Sequence, residues 1–546
     1  MAKGISRRTF LAAASAAAAS LALEWNKVPA YAADMGDKKD YPTVVIGAGI
    51  GGLTCAAFLA RQGIPVTVVE QHNIPGGYAT SFDRDGGRFT FEVSLHATAV
   101  GDNSMERICR RLGLMDRVEF AELPECYTLM LPGLTVRVPQ KDPAAYIQIL
   151  SEHFPAEKKG ITDFVNLMVE AAEEGSAIAR GNPRFEGLWF YLKFPLKCRR
   201  MLSLWNRTLA EVVGRHVKDP VLKDVLVANW AYYGLPPSRL SAFYFMVPTG
   251  DYLKNGAFYI KDRSQNFSNA LADIIEENGG RILYNTPAEK IQVKDGAVCG
   301  VEAGGELLPA RAVVSNASAL TTVNQLLPPG ACPESYVKKL NNYPVSLSSF
   351  IVWLGLNQDI TDRIKDYEIF VSTGRGAEED YKSFLVGDVE NGAFLVAIYD
   401  NAFKGYSKPG TSTVTLVALC GFDPWEPFFA DYKTGKKDAY NAQKKAWTDT
   451  LIRRTEKHVI PGLADMIEVQ DSATPLTNWS YTSHPRGAVY GFDHDLSNDF
   501  VNRVDNRTPV DGLYLSGAWS RPGAGYAGVL QSGEITFLKM MKDWGA

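Results

Sequence analysis

Tyr41-Pro-Thr-Val-Val-Ile46, Gly47-Ala48-Gly49-Ile50-Gly51-Gly52, Leu53-Thr-Cys-Ala-Ala-Phe-Leu-Ala-Arg61 and Pro65-Val-Thr-Val-Val-Glu70 follow one another closely along the chain, and this stretch decides the fold. The β-branched run ending at Ile46 reads as a strand. Glycines at 47, 49 and 52 form G-x-G-x-x-G, which allows a tight turn and lets backbone approach a pyrophosphate. The Ala/Leu-rich segment from Leu53 to Arg61 reads as a helix that Gly63 ends, and Pro65–Glu70 reads as a second strand. A helix opening at the glycines turns free N–H groups and positive potential toward a phosphate. Glu70, 18 residues after Gly52, closes the second strand where an acid can accept both ribose hydroxyls. The order strand, glycines, helix, strand, acid predicts a Rossmann-type dinucleotide site; it does not separate NAD from FAD.

Outward from that anchor, the chain has 546 residues, more than one core usually supports, so at least two domains are expected. Hydrophobic residues make up 46% and charged residues 22%, ordinary globular usage, and a net charge of −4 argues against a nucleic-acid partner. Residues 1–32 read as a leader: Ser6-Arg7-Arg8-Thr9-Phe10-Leu11, an Ala-rich run to Leu23, then Ala30-Tyr31-Ala32 as a small-x-small cleavage site. Adjacent arginines followed by Phe-Leu resemble a twin-arginine export signal, which implies a periplasmic protein that folds around its cofactor before export. Removing the leader takes away four positive residues and one negative residue, moving the net charge from −4 to −7. Export also removes NAD(P)H as an expected soluble electron donor. After the leader no apolar run of membrane-spanning length occurs. The cysteines at 55, 109, 126, 198, 299, 332 and 420 are scattered and form no C-x-x-C, and the seven histidines form no H-x-x-x-H, so no metal site is expected.

The residues after Glu70 carry a resemblance. Glu70-Gln71-His72-x-x-Pro75-Gly76-Gly77, followed by Phe89-x-Phe91-Glu92-x-x-x-His96, resembles the phytoene desaturase superfamily, in particular its carotenoid isomerase and retinol saturase branch. Further motifs keep the family's order: Asn285-Thr286-Pro287-Ala288, Ala312-Val313-Val314-Ser315-Asn316, Ala473-Thr474-Pro475, Pro485-x-Gly487-x-x-Tyr490-Gly491, Gly512-Leu-Tyr-Leu-Ser-Gly517-Ala518 and Pro522-Gly523-x-Gly525-x-x-Gly528-Val529. The resemblance implies an α/β fold: a Rossmann-type FAD-binding domain of the glutathione-reductase kind with an inserted α+β substrate domain. The FAD domain is expected over 41–100, 258–345 and 470–546, and the substrate domain over 101–257 and 346–469. The implied FAD contacts are Gly47, Gly49, Gly52, Glu70, Gln71, Gly76, Gly77, Ala288, Gly517, Ala518, Gly528 and Val529. Two positions depart from relatives: Lys261-Asp262-Arg263-Ser264 stands where they tend to carry a glycine pair, and Tyr78 follows the doublet where many carotene desaturases have Arg or Ser. The resemblance puts the first loop close to the flavin ring, where its charges would alter the substrate entrance.

Within the substrate domain, residues 101–257 read as mainly helical. Ser349–Leu356, Phe394–Tyr399 and Thr413–Leu419 read as antiparallel strands, and 435–458 as a polar surface helix. The stretch 185–205 mixes aromatics such as Trp189 and Phe190 with Lys193, Lys197, Arg199 and Arg200. Rings favour the membrane interface and cations favour anionic headgroups, so it is a candidate membrane-docking surface; an ordinary core helix with snorkelling cations fits equally.

The expected chemistry is hydride transfer at FAD with a long apolar, isoprenoid-like substrate, and a quinone or another carrier as electron partner. Saturation of a double bond needs a proton donor. His96, His484, Arg486 and Tyr490 are the candidates, His96 and Tyr490 foremost, and Arg486 could instead hold a carboxylate or phosphate. Two other readings stay open: a flavin amine or amino-acid oxidase, and an isoprenoid-binding chaperone of the same fold without catalysis.

Overall fold

A computed structural model of the chain describes residues 42–94, 96–179, 197–499 and 502–545. The stretch 1–32 expected to be an export leader and most of the 185–205 stretch lie outside the described residues.

A five-stranded parallel sheet holds the molecule together, in the order Arg281–Leu283, Val66–Val69, Thr43–Ile46, Ala312–Ser315, Leu513–Leu515. Val45 pairs with Val68 on one side and Val314 on the other, and all of Thr43–Ile46 is buried. A strand covered on both faces must be apolar throughout, which is why Thr-Val-Val-Ile carries no polar alternation. The Ile50–Arg61 helix follows the first strand, buried from Ile50 to Ala60, and packs against both Arg263–Glu277 and Tyr526–Asp543. A three-stranded antiparallel sheet (Ala288–Lys294, Ala297–Ala303, Glu306–Pro309) stands beside the parallel one.

A seven-stranded sheet builds the other half, in the order Ile467–Ala473, Ser348–Leu356, Ser412–Cys420, Phe394–Ile398, Glu368–Val371, Tyr127–Leu131, Leu134–Val138. The expected strands near 349, 394 and 413 are its centre, paired antiparallel. Strand periodicity divides their side chains between the faces. Phe350, Val352 and Leu354 join Leu416 and Ala418 in a core with Trp425, Trp447 and Leu451. The opposite face brings Ser349, Ile351, Val417 and Leu419 to the wall of a large cavity. The Asp438–His458 helix, expected to be a polar surface element, buries Tyr440, Trp447, Leu451 and Ile452 on this core and so covers the sheet.

The segment 101–257 is less helical than expected. Tyr127–Leu131 and Leu134–Val138 form a hairpin that extends the large sheet, joined by Pro132-Gly133 with Gly133 at φ +78°. Pro followed by a positive-φ Gly is a turn signal between two alternating runs. The helices of this segment close the cavity from the other side. Ala242–Asn255 crosses Lys158–Ala179 at Gly250, where a Cβ would stand 2.1 Å from the Met168 carbonyl. Among the described residues, no helix is long and apolar enough to cross a membrane. All seven cysteines are unbridged; six are buried as small core residues and Cys299 is exposed.

Candidate active site

Glycines let three backbone segments meet at the mouth of the parallel sheet. A Cβ on Gly52 would stand 2.3 Å from the Gly47 carbonyl, one on Gly51 2.7 Å from Gly517 Cα, and one on Gly517 2.4 Å from Asn316 Oδ1. No side chain fits at any of these points. The doublet is laid on the first glycine loop: Gly76 pairs with Gly49 in a short parallel bridge, and its N–H donates to the Ala48 carbonyl at 2.7 Å. Gly76 at φ +125° and Gly77 at φ +62° hold a backbone path that other residues resist. Glu70 is fixed at both oxygens. Oε2 accepts from the Ala48 N–H at 2.7 Å and Oε1 from the His72 N–H at 2.9 Å, which leaves lone pairs on each oxygen for hydroxyls.

A cavity of about 600 Å³ starts at this cradle and runs between the large sheet and the helices. Gly47, Gly49, Glu70 and Gln71 line its first end, with Gly76, Gly77 and Ala288. Gly517, Ala518, Gly528 and Val529 line its middle, where the Tyr526–Asp543 helix begins and turns its first N–H groups and positive end toward the space. Gly52 is not on the wall; it is the packing glycine beneath, against Gly47. Gln71 lines the wall, but its amide is spent on the Tyr481 carbonyl at 2.7 Å. Asn316, which the sequence placed only at the end of a returning strand, is the side chain that threads between Gly47, Gly49, Gly51 and Gly517. Its position at the carboxyl end of a parallel strand is the signal that could have found it.

The four candidate proton donors separate. His96 lines the cavity, its Nδ1 3.2 Å from the Tyr399 hydroxyl, and burial pushes its imidazole down to about 4. It is therefore neutral near pH 7. Tyr490 also lines the cavity, but its hydroxyl donates to the Ala231 carbonyl at 3.2 Å and its ring packs on Gly234. Arg486 does not reach the cavity: its guanidinium pairs with Asp423 and lies over the Phe422 ring, with 48% of the side chain exposed. The Pro485–Gly487 turn, with Arg486 at φ +56°, points it outward. His484 lines the cavity with both ring nitrogens engaged, Nδ1 with the Ala488 carbonyl at 2.9 Å and Nε2 with the Trp519 indole N–H at 3.3 Å.

The charged loop expected beside the flavin takes another course. Asp262 and Arg263 hold φ of +62° and +75°, the conformation a glycine pair would supply at no steric cost, and neither lines the cavity. Arg263 runs out to the Tyr406 carbonyl and ring, while Ser264 donates its N–H at 3.0 Å to the buried Glu92. Tyr78, the other departure, does line the cavity, tilted against the His484 ring.

Against this geometry, the family model for flavin containing amine oxidoreductase matches residues 50–536. The chain belongs to that family. It is an FAD-dependent oxidoreductase, and its relatives place it in the carotenoid isomerase and retinol saturase branch. An all-trans-retinol 13,14-reductase of Danio rerio is 27% identical over 88% of this chain and 82% of its own length. A chloroplastic prolycopene isomerase of Daucus carota is 25% identical over 94% of this chain and 82% of its own. Among solved structures a putrescine oxidase, 14% identical, superposes with a TM-score of 0.60 over 92% of this chain and 99% of that one, which shows a shared fold.

The residues present fit FAD. The side-chain-free cradle at Gly47–Gly52 and Gly76–Gly77 suits a pyrophosphate, Glu70 keeps free lone pairs for a ribose, and Ala288 flanks the same end. The Gly517 N–H is taken by Ser532 Oγ at 2.9 Å, while Ala518 and the start of the Tyr526–Asp543 helix line the space with backbone and positive potential where a ring gains negative charge.

Proposed function

We propose that this oxidoreductase acts on the double bonds of a long, apolar, isoprenoid-like polyene, outside the cytoplasm. The observation that carries the reading is the lining of the cavity beyond the cradle. Besides Ala518 and Val529 its wall includes Ile351, Val417, Leu129, Leu131, Phe370 and Phe384, so an apolar molecule can lie against it in the same space as the FAD end. The names of the relatives, a retinol reductase and a prolycopene isomerase, agree with a polyene substrate. FAD, when bound, supplies hydride exchange with a carbon of the double bond.

The chain's own residues do the rest. The apolar wall excludes water and holds the polyene straight. His96, neutral and at the wall, is placed to hold or pass a proton, whereas Tyr490 orients the wall through its bond to Ala231. Delivery to the periplasm is read from the leader at 1–32, docking on a bilayer from 185–205, and a polyprenyl quinone is the electron partner that such a location and substrate suggest.

The test is anaerobic. The purified holoprotein is reduced, and its visible spectrum is followed as polyenes and polyprenyl quinones are added one at a time. Reoxidation by, or isomerisation of, a polyene is the expected result. Reduction of the oxidised holoprotein by small amines, with every polyene inert, would overturn the reading in favour of an amine oxidase.

A further inference from the structure

Glu368 lies behind the wall that His96 and Tyr232 present to the cavity. Its side chain is 1% exposed, on the Glu368–Val371 strand of the large sheet. The Tyr232 hydroxyl bonds directly to Glu368 Oε1, and His96 Nδ1 stands 3.8 Å from the same oxygen. His96 is stacked between the rings of Tyr232 and Tyr399. Both His96 and Tyr232 line the large cavity. On its far side Glu368 borders a separate cavity of about 20 Å³, room for a single water, shared with Tyr232, Asn229, Thr249 and Tyr252. Asn229, 3% exposed, has an Oδ1 with no hydrogen-bond partner, so a polar occupant of that space has an acceptor waiting. From there Thr249 Oγ1 meets the Tyr233 hydroxyl at 3.1 Å, and Tyr233 again lines the large cavity.

We propose that Glu368 is a proton reservoir for the reaction, exchanging a proton with the substrate through Tyr232, beside His96, and being recharged through the small cavity behind it. The proposal rests on the polyene reading above. When a double bond is reduced, one carbon takes hydride and its neighbour must take a proton, with a low-potential two-electron donor supplying the electrons. The O–H bond of Glu368 breaks, a C–H bond forms on the second carbon, and the electron pair of the broken O–H bond stays on the carboxylate. Solvent then restores the proton. Tyr232 rotates its hydroxyl in the relay and ends unchanged.

The electrostatics suit a donor. Burial pushes the Glu368 carboxyl up to about 8, and Glu125, whose Oε1 accepts the Tyr367 N–H, adds repulsion in the same direction. With His96 near 4, the two face each other as neutral acid and neutral imidazole at pH 7, not as an ion pair. Other titratable groups around it are Tyr232, Tyr252, Tyr367 and Tyr399, all raised well above their ordinary value by burial, and Cys126, pushed up to about 12. The nearby guanidinium of Arg137 is taken by Asp366 at 2.7 Å. A carboxylic acid kept protonated in an apolar wall is a group poised to donate.

The holoprotein tests this by infrared titration and by its pH–rate profile. The expected carboxylic-acid C=O band in wild type exchanges in D₂O, fades with a midpoint near pH 8, and is missing from Glu368→Gln. With a reactive polyene, the wild-type reduction rate falls above about pH 8, Glu368→Gln loses that limb and about a hundredfold in rate, and Glu368→Asp recovers part of both. A Glu368→Gln protein with the wild-type band, or with the wild-type pH limb and rate, overturns the proposal. Should Glu368→Gln fail to fold, Tyr232→Phe carries the comparison: slowed D₂O exchange of the band supports the relay and unchanged exchange overturns it. If no polyene reacts with wild type, the functional reading falls, and a non-exchanging or absent band then overturns the reservoir separately.

Discussion

Glu70 concentrates the dinucleotide site into one side chain. Its two oxygens tie the first glycine loop, through Ala48, to the start of the segment that leads to the doublet, through His72. Glu70→Gln keeps the size but leaves one N–H facing an amide N–H₂. Hydrogen bonds to charged groups contribute about 1.5–3 kcal/mol, so FAD is expected to bind roughly ten- to a hundredfold more weakly. Fluorescence of flavin released on dilution measures it, and unchanged retention would remove Glu70 from the site. The legibility of single residues divides by range. Glu70 and the glycines at 47, 49, 76 and 77 fall on the cavity wall because their spacing is itself the geometry of a local βαβ turn. Arg486 misled because its partner, Asp423, is 63 residues away and no local pattern announces it. Glu368 gave no signal at all: a glutamate opening a short apolar strand looks like an edge charge until Tyr232, 136 residues upstream, is seen bonded to it.

At the scale of elements, the deciding contact is between the Ile50–Arg61 and Tyr526–Asp543 helices. Gly533 lets them approach: a Cβ there would stand 2.6 Å from the Gly51 carbonyl and 2.6 Å from Thr54 Cβ. Gly533→Ala must push the helices apart, at a cost of about 1–3 kcal/mol from overpacking, despite alanine's better helix propensity. Because Gly51 lies on the cavity wall, the same shift should lower FAD occupancy. A melting temperature equal to wild type with full occupancy would contradict this. The sequence showed the first of these helices as an Ala/Leu-rich run ended by Gly63. It hid the Tyr127–Val138 hairpin, whose Pro-Gly turn is a clear local signal, since the helical reading of its surroundings absorbed it.

Across the whole molecule, buried ionisable groups set how stability follows pH. His96 and His484 are pushed down to about 4 and His494 to about 3, from an ordinary 6.5. Their contribution is fully present above 6.5 and is lost as pH falls toward 4. Glu368 is raised to about 8 and Asp493 and Asp499 to about 7 by burial, so their contribution is present below about 4 and is lost as pH rises through 7 to 8. Between about pH 4 and 6.5 the two sets act in opposite directions. Above 6.5 the histidines are neutral folded or unfolded, and the acids act alone. Urea unfolding should therefore show a midpoint that declines from about pH 6.5 to 8.5, less steeply in Glu368→Gln. A midpoint that rises across the upper range would be incompatible with these burials.

Ser516 Oγ donates to the Gly51 carbonyl at 2.9 Å, across 465 residues of sequence, and the last helix packs on the first one described. The closing wall of the cavity thus leaves the ribosome long after the glycine loop it covers. During synthesis the glycine loop is made early and must wait, without its lid, for more than 450 residues. A polypeptide cut short before Tyr526 would carry every phosphate-binding glycine of the first loop yet have nowhere to seal a flavin. Retained colour therefore reports that the chain has been made at least through the Tyr526–Asp543 helix.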